Sequence, residues 1–461
     1  MTRPHSLFES ALDAPKYMSR AEAEALTKKV LSYVTVDAAR VSVGSGTLAN
    51  SRFAVNQIST AGDTYTTNVS VRASVGKRSA TASGNRLDDD SLKALVKKAE
   101  SLARLSPEDP EAMPELGPQT FRESPGWSDA TASLDPQGRA TAVQKITSQA
   151  EKAGLVSTGY LEITAGANAV ASSNGMFAWG RTTAAALTTT VRTPDGTGSG
   201  WAGASTNDWM RIDPAALGER AVQKAKASTN AVAVEPGRYT VVLEPTAVGN
   251  LVQLIGGALQ ARAADEGRSF FSKPGGGTKI GLKVVDERVT LVSNPYDSDS
   301  YGAAFTGEGL PTEPVTWIEN GVVKNLAYDR YWAQQKQMKA TGAQGSFKMS
   351  GGSSSLEEMI ASTERGLLVT RLWYIRGVDP RVILFTGLTR DGTFLIEKGK
   401  ITRAVKNLRW NESPIFMLNN IEMMGRPERV SASESGSAGQ ALVVPPLKAR
   451  DFMFTSLSDA V

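Results

Sequence analysis

Apolar residues in the first hundred positions recur at helical spacing, then in alternation, then at helical spacing again. Ser19 and Glu22 form a capping-box pair ahead of Ala23, Leu26 and Val30, which share one helical face, and so predict a helix through Tyr33. Stretches rich in Val and Thr at 39–43, 52–57, 66–75 and 77–83, separated by Gly, Asn and Asp, predict strands. Leu92, Leu95, Val96, Ala99 and Leu102 then predict a closing helix.

The same order returns after a proline-rich linker at 107–125. Asp135 is the expected N-cap and Pro136 the first helical residue, with Val143, Ile146 and Ala150 on the apolar face. Strands are expected at 159–164, 177–183 and 186–192, with Asn174-Gly175 as a hairpin signal, and Asp213-Pro214 opens another helix. Val71-Arg72 answers Val191-Arg192, and Lys97-Lys98-Ala99 answers Gln223-Lys224-Ala225. The pattern predicts a duplicated unit, with copies at about 19–105 and 134–228 in a domain spanning 1–234 and paired helices on one face of one continuous sheet.

From about Gly237 the strands become longer and more apolar. Residues 238–243 read as a strand, and Pro245 starts a helix whose Leu251, Leu254, Ile255, Ala258 and Leu259 face a core. Asn320-Gly321, Asp391-Gly392 and Lys398-Gly399 mark hairpins within 315–326 and 382–405. The fold class expected is α+β: the duplicated helix and antiparallel-sheet domain, then a mostly β, barrel-like domain over 235–461. Gly- or Ser-rich stretches at 273–278 and 431–440 read as connectors.

Composition narrows the chemistry. The 461 residues, 41% hydrophobic and 21% charged, suffice for two cores. With 51 basic and 47 acidic residues, a charge of +4 gives no footprint for direct nucleic-acid binding. No run of about eighteen apolar residues and no signal-peptide pattern at the start lead to the expectation of a cytoplasmic protein without a membrane partner. Cysteine is absent and histidine occurs once, at His5, expected in an exposed tail.

Those counts remove Ser-His-Asp and Cys-His catalysis, and they remove an HExxH zinc helix, which needs two imidazoles. Carboxylates at Asp88 to Asp90, at Asp286-Glu287, and at Asp297 with Asp299 are candidates for a hard cation, with helix capping and turn formation as simpler roles. The run Gly275-Gly276-Gly277-Thr278-Lys279 lacks the spacing of a phosphate loop.

A succession of segments resembles the TldD/PmbA family. These are Arg52-Phe-Ala-Val-Asn-Gln57, Phe305-Thr-Gly-Glu-Gly309, Ile318-Glu-Asn-Gly-Val322 followed by Tyr328-Asp-Arg-Tyr-Trp332, Gly366-Leu-Leu-Val-Thr-Arg371, and Thr389-Arg-Asp-Gly-Thr-Phe394 with Ile396-Glu-Lys-Gly399. The resemblance implies a family whose members pair as a zinc-bearing TldD-type subunit, with an HExxxH helix and a cysteine near its C-terminus, and a non-catalytic TldE-type subunit. Here the matching helix carries Pro245 and Asn250 at the two histidine places and Thr246 at the glutamate place. None of the three suits its role, since proline offers no lone pair, an amide is a poor zinc ligand and threonine a poor base.

The resemblance therefore implies a TldE-like subunit with no catalytic or metal residues and no cofactor of its own. Zinc is expected in an HExxxH-bearing TldD-like partner, and a peptide or unfolded protein is the expected substrate. Phe305, Glu308, Gly309, Tyr328 and Arg371 are the exposed peptide-binding candidates. Two alternatives stand beside this: an autonomous carboxylate- or cation-dependent peptide-modifying enzyme using Asp286, Glu287 or Glu308, and a gyrase-modulator-type binding protein.

Overall fold

The computed structural model describes residues 17–341, 345–432 and 441–458. His5 and most of the 431–440 stretch lie outside them. The first unit comprises α1 (Arg20–Ser32), β1 (Ala38–Ala54), β2 (Gln57–Val75), β3 (Arg78–Gly84) and α2 (Asp89–Leu105). The capping box forms as read, with Ser19 N–H donating to Glu22 Oε2 at 2.8 Å and Glu22 N–H donating to Ser19 Oγ at 3.3 Å. Asp88 caps α2 by its side chain alone, accepting from Ser91 N–H at 3.0 Å.

The segments expected at 39–43 and 52–57 fall largely in one long strand, β1, the segment at 66–75 is the second half of the longer β2, and 77–83 forms β3. Val55 and Asn56, both left-handed at φ 50° and 60°, make the turn between β1 and β2. The Asn56 side chain fixes that turn, its Oδ1 accepting from Ser157 N–H at 2.7 Å. Gly44 and Gly46 look like strand breakers in the sequence, yet they lie inside β1 where it approaches its neighbour. A Cβ at Gly46 would stand 2.6 Å from the carbonyl oxygen of Ala165 and 2.8 Å from Gly166 Cα.

The second unit holds α3 (Asp129–Ala132), α4 (Pro136–Lys152), β4 (Val156–Ser172), β5 (Phe177–Arg192), β6 (Ser199–Thr206) and α5 (Pro214–Ala227). Asp135 and Asp213 cap helices that begin with proline. β6 was not expected, its Gly, Ala and Ser residues carrying little strand propensity. Their size is needed where the strand lies under α5: a Cβ at Gly200 would meet the Ala221 carbonyl oxygen at 2.3 Å.

All six strands form one antiparallel sheet in the order β3-β2-β1-β4-β5-β6. β1 and β4 pair from Arg40↔Ser172 to Phe53↔Gly159, and Gly46↔Gly166 lies at the centre, where the two copies meet. Val41, Val43 and Ala49 are alternate residues of β1, so they share a face, and each is buried in a helix-covered core. Ser42 and Gly44 occupy the opposite face, which carries no helices.

Beyond β7 (Gly237–Leu243) and α6 (Pro245–Ala258), the chain forms two further sheets. In one, β7 lies between the parallel strand Arg365–Val369 and the antiparallel strand Leu447–Leu457. The other includes Leu291–Ser293, Val315–Glu319 and Phe347–Met349. Both sheets are open, which corrects the barrel-like expectation. α6 occupies the space that closure would require: Val248, Leu251, Val252 and Ile255 are fully buried in a core shared with Val241, Leu291 and Phe347.

Asn320-Gly321 and Lys398-Gly399 close hairpins in left-handed turns. Asp391-Gly392 does not. The strands beside it, Leu384–Thr389 and Thr393–Glu397, pair with other partners, while Asp391 is held from outside by Arg371 Nη1 at 3.2 Å and Ser199 Oγ at 2.6 Å. No helix among the described residues is long and apolar enough to cross a membrane.

Candidate functional site

Two places hold candidate chemistry, and they differ in character. The first is α6. Pro245 is buried at its first turn and Thr246 is half-buried. Asn250 is 2% exposed with both ends of its amide engaged, Nδ2 donating to the Ala432 carbonyl at 3.0 Å and Oδ1 accepting from Leu372 N–H at 3.2 Å. Gly249 leaves no room for a side chain, since a Cβ would lie 2.7 Å from Val430 Cγ2. Glu244, ahead of the helix, pairs with Lys224 of α5 at 2.6 Å.

These residues do not fit a zinc ion. Proline has no donor, the Asn250 amide is committed to backbone, and Thr246 offers one hydroxyl. No three His, Cys, Asp or Glu side chains among the described residues come together in a group able to hold a metal. Most of the carboxylates singled out in the sequence have other partners, Asp89 with Lys29 among them. Asp88 is the cap described above, Asp286 forks onto Arg288 at 2.8 Å, Glu287 pairs with Lys283 at 2.5 Å, Asp297 with Lys348 at 2.9 Å, and Asp299 with Arg211 at 2.7 Å. The Arg288 guanidinium holds Asp286 below its ordinary pKa.

The second place is a cleft of about 770 Å³ on the helix-free face of the six-stranded sheet. Its floor is polar: Ser42, Gly44, Asn68, Ser70 and Asn168. The linker segment 121–127 forms one wall and residues 303–307 another. Phe121 and Phe305 meet edge to face at 5.7 Å, and Phe305 lies against Gly180, where a Cβ would be 3.3 Å from the ring.

Three arginines line the cleft, which reaches round the outer edge of β5: Arg181 shares the helix-covered face of Val43 and Ala169, and Arg20 comes from the start of α1. Arg20 lies over the Phe177 ring at 5.5 Å, Arg122 over Tyr296 at 3.9 Å and Arg181 over Trp127 at 4.7 Å, and Arg181 also donates to Tyr17 Oη at 3.1 Å. Among the described residues none of the three has a carboxylate within ion-pair distance; Glu123 is the acidic residue in the lining.

The family-like segment 305–309 lies at this cleft. Its turn closes with Gly309 N–H donating to the Thr306 carbonyl at 2.9 Å. Gly309 has φ 84°, and a Cβ there would lie 2.1 Å from Met176 Cε, so both backbone and space require glycine. Glu308 is exposed and pairs with Arg330 at 3.4 Å.

Tyr328 and Arg371 are elsewhere and are not exposed, contrary to expectation. Tyr328 is 6% exposed in the C-terminal core, where burial raises its phenol pKa. Arg371, also 6% exposed, pairs with Asp391 and lies over Trp201 of β6 at 4.4 Å, which joins the two halves of the chain. Sequence reasoning missed Arg20, Arg122, Arg181, Trp127 and Trp179. The one local signal was Trp179-Gly180-Arg181, a glycine between two large side chains within a strand.

Family models match nearly the whole chain: PmbA/TldA metallopeptidase domain 1 over residues 39–103, the central domain over 129–229 and the C-terminal domain over 236–456. A metalloprotease of Methanothermobacter thermautotrophicus is 26% identical over 253 residues, 51% of this chain and 53% of that protein. A metalloprotease TldD homolog of Haemophilus influenzae is 25% identical over 243 residues, 49% of each. The chain thus spans about half the length of the curated relatives it matches. The crystal structure of TldE from Thermococcus kodakarensis superposes with a TM-score of 0.82 at 20% identity, covering 94% of this chain and 99% of that one. A candidate modulator of a DNA gyrase from Thermotoga maritima gives 0.80 at 17%, covering 94% and 100%. At those identities the two structures speak to fold alone.

Proposed function

Because the chain belongs to the PmbA/TldD metallopeptidase family, we propose that it is the TldE-like, non-catalytic subunit of a two-subunit peptidase, shaping a peptide channel for a zinc-bearing, TldD-like partner. The observation that carries this reading is α6. The helix keeps its N-terminal proline and its buried apolar face, while the places matching HExxxH hold Pro245, Thr246 and Asn250, and the Asn250 amide is spent on packing. Zinc belongs in the partner, and a peptide or unfolded protein is the substrate class.

The alternative of an autonomous carboxylate enzyme has less support, because Asp286, Glu287 and Glu308 are each engaged by a neighbouring cation. Co-expression with an HExxxH-bearing family member tests the proposal. The two chains should co-purify, and cleavage of an unfolded peptide should require both. A chain that neither binds such a partner nor alters its cleavage rate overturns it.

A further inference from the structure

The cleft on the six-stranded sheet is lined by arginines, and it lies beside a strand edge that no strand covers among the described residues. Thr183 N–H donates outward to the Gly126 carbonyl at 2.9 Å, so Thr183 faces its β4 partner Ala165 as a non-hydrogen-bonded pair. Every second residue shares that orientation. The N–H and C=O groups of Arg181 and Trp179, paired in register with Ala167 and Ala169, therefore also point to the outer edge. β6 covers that edge only from Ala185 onward.

At the same edge the side chains supply positive charge. Arg181 is held between the Tyr17 hydroxyl and the Trp127 ring, and Arg20 reaches the cleft from the first turn of α1. Arg122 enters from the linker. Three guanidinium groups against Glu123 leave the cleft with a net positive lining, while Phe121, Trp127 and Phe305 give it apolar walls. Guanidinium on an aromatic face keeps its outer N–H groups free to grip a carboxylate in fork geometry.

We propose that this cleft binds the C-terminal end of an extended, apolar peptide, with its α-carboxylate on Arg181 and Arg20 and its last backbone groups paired to the edge at Trp179–Arg181. An α-carboxylate ends the chain and belongs to neither face of the sheet, so a peptide paired to the edge can turn it onto the guanidinium groups there whichever way its last side chain points. The carboxylate of an internal Asp or Glu meets them only from residues that face their side of the sheet. The peptide class follows the reading of the chain as a channel-forming subunit; the preference for a carboxylate is drawn from the cleft itself.

The test uses the full chain without any partner, so that failure to bind peptide and failure to bind a zinc subunit are separate results. Binding of N-acetylated Ala-Ala-Phe-Ala is measured by calorimetry as the free acid, as the C-terminal amide, and as an amide with an internal Glu. The acid is expected to bind at least about tenfold more tightly than either amide. Arg181→Met, which retains an apolar stem on Trp127, should reduce the acid to the level of the amide, whereas Arg104→Met on exposed α2 should leave binding unchanged. Equal binding of acid and plain amide, or no binding at millimolar peptide, overturns the proposal. So does a glutamate-bearing amide that matches the acid, since the carboxylate read would then be a side chain's.

Discussion

The α6 helix and the sheet cleft treat polar groups in opposite ways. Around α6 they are buried and committed: both ends of Asn250 are bonded, and Glu244 is tied to Lys224. In the cleft, guanidinium groups lie on aromatic faces and, among the described residues, have no carboxylate within ion-pair distance. A buried polar group with satisfied bonds stabilises the fold, and a cation without a counter-ion at a cleft is available to a ligand. The contrast sets a helix whose polar groups are spent on packing against a cleft whose cations are open to a ligand.

The sharpest way to break this contrast is at Asn250. Asn250→Ala leaves Leu372 N–H unpaired in the core and the Ala432 carbonyl with only the long bond from Gln253 Nε2 at 3.4 Å, and should cost about 3 kcal/mol in urea denaturation, with peptide binding unaffected. A stable variant would show that the amide is not structural.

The next effect is smaller and depends on pH. Glu412 is 4% exposed, and burial pushes its pKa from 4.5 up to about 7, although it accepts hydrogen bonds from Ser413 and Met453 N–H groups. Between those values the folded chain holds a proton that the unfolded chain has lost, so stability falls as pH rises. A loss of about 2 kcal/mol from pH 5 to pH 8 is expected, and Glu412→Gln should flatten the slope. Thermal melts across that range measure it, and a wild-type profile that rises instead would contradict it.

Lys224→Ala breaks the mostly buried pair with Glu244 that connects α5 to the start of α6, and should cost about 1 kcal/mol, read by the same urea titration. At the low end, Arg20→Ala should change stability by less than about 0.5 kcal/mol, because its exposed side chain lies over the Phe177 ring and makes no ion pair among the described residues. It should nevertheless weaken binding of the peptide acid. An Arg20 variant that unfolds the protein would erase the distinction between the two regions.

What was legible in the sequence was local. The Ser19–Glu22 box, Asp135-Pro136 and the apolar stripe of α6 depend on neighbours a few residues away, and each forms as read. β6 and the uninterrupted β1 were not legible, because their glycines answer to contacts with α5 and β4 that no local pattern records. The same limit hid the cleft. Arg20, Trp127 and Arg181 come from a helix start, a linker and a strand, and only the sheet brings them together. Arg371 misled for the converse reason: a charged residue in a family-like segment is buried by an Asp and a Trp distant in sequence.

The pairing of β1 with β4 also orders events during synthesis. β1 finds its second neighbour only when Ser157 to Ser172 have been made, and Asn56 cannot fix its turn before Ser157 exists. Until then the first unit leaves the ribosome with one long strand edge bare, a template for wrong partners. The two copies are therefore one folding unit, completed by its later half.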